Sequence, residues 1–246
     1  MGRGICPWPG FGPAAGKGKS MKKLNSRQKI LLGCFAMVLA IIGDYLLGFG
    51  TFSVTGSPDM PMGIAAAVVP DWRYALSSIL GFLCVPFFAA AVLELLRVME
   101  EKYGLREKRL YRLFRIANWG GILYFSFIHI SISMLPVVFN AGMDATGDAA
   151  ASIAMAVRVL GSIAVPLIIG LVVCDGFVTV AWIGMVVGGM LPVRKIALVC
   201  NPVFMMLLGQ GMNLLMEGLD SGFESLGWLL LYLVCAMKLV GKGERV

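Results

Sequence analysis

The sequence predicts an all-α membrane protein, a bundle of six transmembrane helices with both termini in the cytoplasm. Three observations lead to this fold class. Of the 246 residues, 59% are hydrophobic and only 14% are charged, whereas a soluble domain carries about 25% charged residues. Apolar runs of about 20 residues, the length that crosses about 30 Å of hydrocarbon, recur along the chain. The basic residues are concentrated between alternate runs, as the positive-inside rule requires.

The chain divides into a tail, a membrane domain and a second short tail. Residues 1–28 are rich in Gly, Pro and Lys and lack an apolar period, which is typical of disordered segments. The first apolar run, 30–49, is too long for the core of a secretory signal and lacks a cleavage site, so it is predicted to stay as a membrane helix. We therefore expect a disordered basic tail over 1–28, six helices within 29–241 and a cytoplasmic tail over 242–246.

Five further spans follow from the apolar runs. The connector over 99–115 is charged and helical in character, and the segment 141–160 is rich in small residues. The segment 141–160 is expected to form a short interfacial helix around Arg158. The lone charge of the fourth run is Asp175, near its middle. The spans predicted after the first are 74–98, 116–140, 161–191, 196–216 and 226–240.

The distribution of charge tests the number of spans. With six spans, all the basic residues except Arg73 and Arg158 fall in segments assigned to the cytoplasm. Splitting the fourth run at Asp175 would give seven spans and place the basic C-terminus outside, so six spans are preferred. The same topology accounts for the formal net charge of +7. The expected partner is therefore the lipid bilayer, and no nucleic acid partner is expected.

Polar side chains recur at similar depth in several of these spans. An ionised group at the bilayer centre costs about 2.5–3.5 kcal/mol or more, and such groups usually mark ion paths, proton relays or ligand sites. At about 1.5 Å per helical residue, a polar residue in each of four spans lies about 20 Å from a helix end, in the middle-to-outer half of the bilayer. The candidate residues of an outward-opening pocket are Asp44, His129, Asp175, Gln210, Asn213 and Glu217.

Two interpretations of these residues stay open. Polar side chains also hold membrane helices together, each hydrogen bond contributing about 0.6 kcal/mol, and this structural role suits Gln210 and Asn213. A functional role is favoured for Asp44 and Asp175 because buried carboxylates are expensive. In that interpretation the two carboxylates are charge partners and His129 is a titrating relay.

The leading hypothesis is therefore a protein that binds or moves a small molecule or a cation through this pocket. No cofactor and no metal site are expected, because a single histidine cannot complete a His-rich zinc site and the cysteines lack metal-ligand spacing. An intramembrane lipid hydrolase that uses aspartate, histidine and serine is the alternative. An accessory subunit of a membrane complex is a third class, and a homo-oligomer or another membrane partner is left open.

Two resemblances add to these inferences. The stretch Gly43-Asp44-Tyr45-Leu46-Leu47 resembles, over five residues, the Gly-Asp-x-Leu-Leu stretch of lysoplasmalogenase-type membrane hydrolases. This five-residue resemblance bears on the alternative function, an intramembrane lipid hydrolase. The chain as a whole resembles the small multi-pass bacterial proteins grouped as domains of unknown function. That resemblance implies a six-helix layout in the bacterial cytoplasmic (inner) membrane and no particular activity.

Overall fold

The structure, a computed structural model, describes residues 24–48, 70–215 and 220–240. It is all-helical, with no strand in these ranges. Most of both predicted tails lies outside the described residues, and the first helix begins at Ser26, within the segment expected to be disordered. The elements, in chain order, are α1 (Ser26–Gly48), α2 (Asp71–Glu101), α3 (Arg109–Thr146), α4 (Ala149–Leu171), a π-helical turn (Val172–Gly176), α5 (Phe177–Val187), a 3-10 turn (Lys195–Val199), α6 (Pro202–Asn213) and α7 (Phe223–Lys238).

Four helical segments are long and apolar enough to cross a membrane: Ser26–Leu47, Asp71–Glu101, Arg109–Thr146 and Ala149–Val187. Large apolar side chains on them face outward, among them Leu123, which is 79% exposed, as in helices that contact lipid. α6 and α7, which correspond to the predicted fifth and sixth spans, have only 12 and 16 residues, or about 18 and 24 Å. The all-α fold is therefore confirmed with four helices able to span a membrane, and the count of six stays a prediction.

The fourth predicted span is part of a longer helix. α4, the π-helical turn and α5 form one continuous segment, Ala149–Val187, of 39 residues. The segment 141–160, predicted as a separate interfacial helix, instead completes α3 and begins α4. Gly147 adopts a left-handed φ of 65°, and the Asp148 side chain caps α4 by accepting from Ala150 N. Such a glycine and such a cap end one helix and start the next at once.

The fifth predicted span is broken near its start. The sequence predicts one helix over 196–216, but the chain forms a 3-10 turn, passes through buried Asn201 and starts α6 at Pro202. A proline has no N–H to donate, and it disfavours a helical conformation for the preceding residue. The Asn201 side-chain oxygen accepts from Phe204 N at 2.8 Å and from Thr179 Oγ1 at 3.1 Å. Non-helical backbone at membrane depth is tolerated where protein buries it, as here.

One end of the bundle carries a network of ion pairs. Glu94 of α2, which is 5% exposed, accepts from Lys29 of α1 at 3.1 Å and from Arg97 at 2.5 Å. At the same end, the Tyr103 hydroxyl donates to the carbonyl oxygen of Leu239, just after α7, at 2.8 Å. The start of α1 and the end of α7 therefore lie together. We call this end of the bundle, marked by Lys29, Glu94, Arg97 and Tyr103, the basic end.

α7 runs antiparallel to α1. Gly33, early in α1, lies against the ring of Tyr232, late in α7. Gly222, which precedes α7, lies beside Tyr45, near the other end of α1. α7 is short for a membrane helix, with 16 residues, but it begins close to the end of the bundle opposite the basic end. Side chains in its first turn lie far from the basic end.

Candidate functional site

Asp44 and His129 form the part of a polar cluster that lies nearest the end opposite the basic end. Asp44 lies near the end of α1, and its Oδ1 is 3.5 Å from Nε2 of His129 on α3. Its other oxygen, Oδ2, accepts a hydrogen bond of 2.7 Å from Oγ of Ser225 in the first turn of α7. The Asp44 side chain is 22% exposed, whereas that of His129 is 6% exposed. The pair is thus open on the Asp44 side, at the end opposite the basic end.

Small residues let the helices approach His129 closely. A Cβ atom on Gly81 of α2 would lie 2.6 Å from Cβ of His129, so only glycine leaves room there. The Ser133 hydroxyl donates to the carbonyl oxygen of His129 at 2.6 Å, one turn further along α3. Oγ of Ser77 on α2 is buried and has no hydrogen-bond partner among the described residues; like Cε1 of His129, it lies within 4 Å of where a Cβ atom on Gly43 would be. The imidazole is therefore tightly packed against α2 and has Asp44 of α1 as a polar neighbour.

Asp175 lies in the π-helical turn that joins α4 to α5. Such turns are rare and occur frequently at functional sites. Asp175 is 2% exposed, and its Oδ1 accepts a hydrogen bond of 2.7 Å from Nε1 of Trp228 on α7. Its Oδ2 is buried and has no hydrogen-bond partner in the part of the chain that the structure describes. Leaving a buried acceptor unsatisfied costs about 1–3 kcal/mol, and more for a charged group, so this oxygen calls for an explanation.

Glu224 connects the two parts of the cluster. Its carboxyl group lies within hydrogen-bonding reach of that of Asp175. Its neighbour in the chain, Ser225, binds Asp44. The first turn of α7 therefore joins the Asp44–His129 pair to the buried aspartate. Three carboxyl groups and the histidine converge in this way from α1, α3, the π-helical turn and α7.

A cavity of about 10 Å³ lies beside the carboxyl groups of Asp175 and Glu224. Its walls are mostly apolar, and Asp175 and Glu224 are the acidic residues among them. A water molecule needs about 10–15 Å³, so the cavity has room for about one water and none for an organic molecule. The lining residues are Gly121, Tyr124, Phe125, Ile128, Cys174, Asp175, Glu224 and Trp228.

The cluster extends along the bundle axis instead of lying at one depth. His129 packs at the level of Asp44. Gly121, which lines the cavity beside Asp175, lies about 12 Å along α3 from His129, toward the basic end. The sequence predicted similar depths for the three residues. Asp175 is in fact deeper and more fully buried than Asp44, and its contacts are with α7 and not with His129.

A family model matches most of the chain. It spans residues 21–242 and is described as a family of unknown function, DUF6796. The chain belongs to the DUF6796 family. No curated protein and no solved structure matches it. The resemblance to proteins of unknown function is thus confirmed, and Asp44, His129, Asp175 and Glu224 of this DUF6796 protein all lie within the matched residues.

The other predicted site residues of the DUF6796 protein are not shown to join this cluster. Gln210 is exposed, and its Nε2 donates to Oδ2 of Asp220 at 3.0 Å, in the segment before α7. Asn213 is partly buried at the last residue of α6. Glu217 lies outside the described residues. The structure thus brings Asp44, His129 and Asp175 into one cluster and places Gln210 outside it.

Sequence reasoning missed Glu224, Ser225 and Trp228. The first two precede the predicted span 226–240, so the change in hydropathy assigned them to a loop. A signal was present, because Glu224, Trp228 and Tyr232 recur at i, i+4 and i+8 and therefore share one face of a helix. An acidic residue in line with a tryptophan and a tyrosine indicates a polar stripe on that face.

The arrangement in this DUF6796 protein does not make Ser225 the nucleophile of a Ser-His-Asp triad. In Ser-His-Asp catalysis the histidine contacts the serine and takes its proton. Here Asp44 lies between Ser225 and His129 and contacts both, so the imidazole does not activate the hydroxyl. In the described part of the chain, no group of three or more His, Cys, Asp or Glu side chains is placed to hold a metal ion.

Proposed function

We propose that this DUF6796 protein is a multi-pass protein of the bacterial cytoplasmic membrane that binds or moves a small cation through a polar pocket. The pocket opens at the end opposite the basic end. The contact between His129 and Asp44, at the exposed mouth of a cluster that leads to buried Asp175, carries the proposal. Ionisable groups inside a membrane usually mark ion paths or proton relays. The cavity volume of about 10 Å³ favours a cation over an organic molecule.

Asp44→Asn is expected to slow cation entry into vesicles by about tenfold or more. A hydrogen bond to a charged group contributes about 1.5–3 kcal/mol, and about 1.4 kcal/mol is a factor of ten. The purified protein is reconstituted in lipid vesicles that contain a pH-sensitive dye, and entry is followed after a membrane potential is imposed. Parallel vesicles with a sodium-sensitive dye separate proton entry from sodium entry.

Glu107→Gln is the matched control for this experiment. Glu107 is 79% exposed in the connector between α2 and α3 and pairs with Arg112, far from the cluster. Its removal should leave the rate at the wild-type value. Equal rates in wild type, Asp44→Asn and protein-free vesicles would contradict the proposal and favour an accessory subunit without a pathway of its own.

We also propose six spans with both termini in the cytoplasm. The positive-inside rule assigns the basic end to the cytoplasm. The shared position of the start of α1 and the end of α7, tied by Tyr103 to Leu239, supports a common side for the termini. α6 and α7 form a hairpin that leaves the basic end after α5 and returns to it. On this path the start of α1 and the end of α7 share a side whether α6 crosses the whole bilayer or part of it.

Single introduced cysteines test this topology. In spheroplasts, Asp144→Cys is expected to react with a membrane-impermeant maleimide, whereas Glu107→Cys and Lys238→Cys are expected to react only after the membrane is opened. These three residues are exposed at opposite ends of the bundle. The protein without an added cysteine gives the background from its own six cysteines. Labelling of Lys238→Cys from outside would mean an odd number of spans.

A further inference from the structure

Two carboxyl groups face each other in the cluster with no donor between them. Those of Asp175 and Glu224 lie within hydrogen-bonding reach and line the same small cavity. Oδ2 of Asp175 is buried and receives no hydrogen bond from the described part of the protein. Ionised carboxylates are acceptors only. The contact is therefore repulsive unless one of the two groups carries a proton.

The surroundings of this pair add negative charge. The titratable groups that face it are Asp44 on α1, Tyr124 on α3 and Cys174 in the π-helical turn, with His129 behind Asp44. Among the described residues, no lysine or arginine forms an ion pair with either carboxyl group. Two adjacent anions, a buried Asp175 and a half-buried Glu224, would thus stand without a neutralising cation.

We infer that Asp175 and Glu224 share one exchangeable proton, and that this proton is the cation that the pocket takes up. The inference deepens the proposed function and rests on it. With one proton on the pair, the O–H of one carboxyl group donates to an oxygen of the other, which satisfies Oδ2 of Asp175. The pair then carries one negative charge instead of two, and the N–H of Trp228 stabilises it at Oδ1.

The site suits a proton better than a metal cation. Mg²⁺ and Ca²⁺ take about six to eight ligands, mostly oxygens, whereas the cavity of about 10 Å³ has room for about one water molecule. Trp228 also directs an N–H group at the Asp175 carboxylate, and a donor in this position repels a metal ion. A proton needs no such volume and no further ligands.

The first turn of α7 connects the pair to the exposed end. Glu224 is followed by Ser225, whose hydroxyl donates to Asp44, and Asp44 contacts Nε2 of His129. On release, one proton leaves the carboxyl pair and one proton is bound by the neutral imidazole. The pair becomes two carboxylates, the imidazole becomes imidazolium beside Asp44, and no other bond changes.

Infrared spectroscopy of the full chain in lipid vesicles tests the inference, because the carbonyl stretch of a protonated carboxyl group is distinct from carboxylate bands and shifts in D2O. At neutral pH we expect one such band in wild type. It should be lost in Asp175→Asn and in Glu224→Gln, and retained in Asp44→Asn and in the exposed control Glu107→Gln. Trp228→Phe keeps both carboxyl groups while removing a donor, so its band should shift and persist.

The outcomes separate the inference from the proposed function. A wild-type spectrum without the band, or a band that survives in both Asp175→Asn and Glu224→Gln, would overturn the inference. Sodium entry into vesicles by a protein that lacks the band would also overturn it, and would leave a cation function in place. If the band shows the expected variant pattern but the protein moves no cation, the shared proton is supported and the proposed cation transport is contradicted. Melting temperatures of the same samples show whether each variant folds. If Asp175→Asn or Glu224→Gln does not fold, the test rests on Trp228→Phe, whose band must shift and persist.

Discussion

Gly227→Ala is expected to lower the melting temperature of the detergent-solubilised protein by about 2–12 °C. A Cβ atom on Gly227 of α7 would lie 2.5 Å from both the carbonyl oxygen of Asn201 and Cα of Pro202. Both are backbone atoms, so neither can rotate away as a side chain would, and α6 must move off α7. Overpacking of this kind costs about 1–3 kcal/mol, and about 1 kcal/mol shifts the melting temperature of a chain of this size by about 2–4 °C.

Gly211→Ala is the matched control, since Gly211 lies on α6 and a Cβ atom there meets no atom within 4 Å. Alanine is also favoured over glycine in a helix by about 1 kcal/mol, so the control should melt at the wild-type temperature or above it. Equal melting temperatures for the two variants would contradict the close packing of α7 against the break before α6.

Gly81→Ala is expected to slow cation entry by about ten- to a hundredfold while leaving every polar group of the cluster in place. The new Cβ atom would lie 2.6 Å from Cβ and 2.7 Å from Cγ of His129. Turning the imidazole does not move Cβ of His129, so α2 and α3 must move apart. Because α1 packs against α2, we expect Asp44 to move with α2 and its 3.5 Å contact with His129 to lengthen. A misplacement of about 1 Å in a reacting group can lower a rate by about a hundredfold. The vesicle assay, run over a range of pH, measures the effect.

The pH profile distinguishes a positioning role of Gly81 from a merely structural one. If Gly81 acts by placing His129 beside Asp44, the variant should lose the part of the profile that depends on the imidazole. Gly161→Ala on α4, where a Cβ atom meets nothing within 4 Å, should keep both the rate and the profile. A slower rate with an unchanged profile in Gly81→Ala would show that Gly81 supports stability alone.

The sequence by itself determined the class of the protein and the residues that lipid cannot surround. Hydropathy is a property of each segment alone, so long apolar helices such as Asp71–Glu101 could be predicted without knowing their neighbours. The same reasoning singled out Asp44, His129 and Asp175, because an ionisable group in an apolar run is conspicuous wherever the helices lie. The structure places all three in the polar cluster.

Tertiary structure alone decided which groups meet. Trp228 reaches Asp175 from a helix 53 residues further along the chain, and Ser225 reaches Asp44 across 181 residues. Such contacts depend on how each helix is rotated and how closely it approaches its neighbours. Packing between side chains and glycines sets both, and no single segment contains that information.

The break before α6 has a similar origin. Pro202 was visible in the sequence, yet the apolar run around it predicts a continuous helix. A chain can leave the helical conformation at membrane depth only where other groups satisfy its backbone. Here the Trp182 indole donates to the carbonyl oxygen of Ala197 at 2.8 Å, and Thr179 binds the cap residue Asn201. Because these partners come from α5, the folded bundle and not the local sequence permits the break.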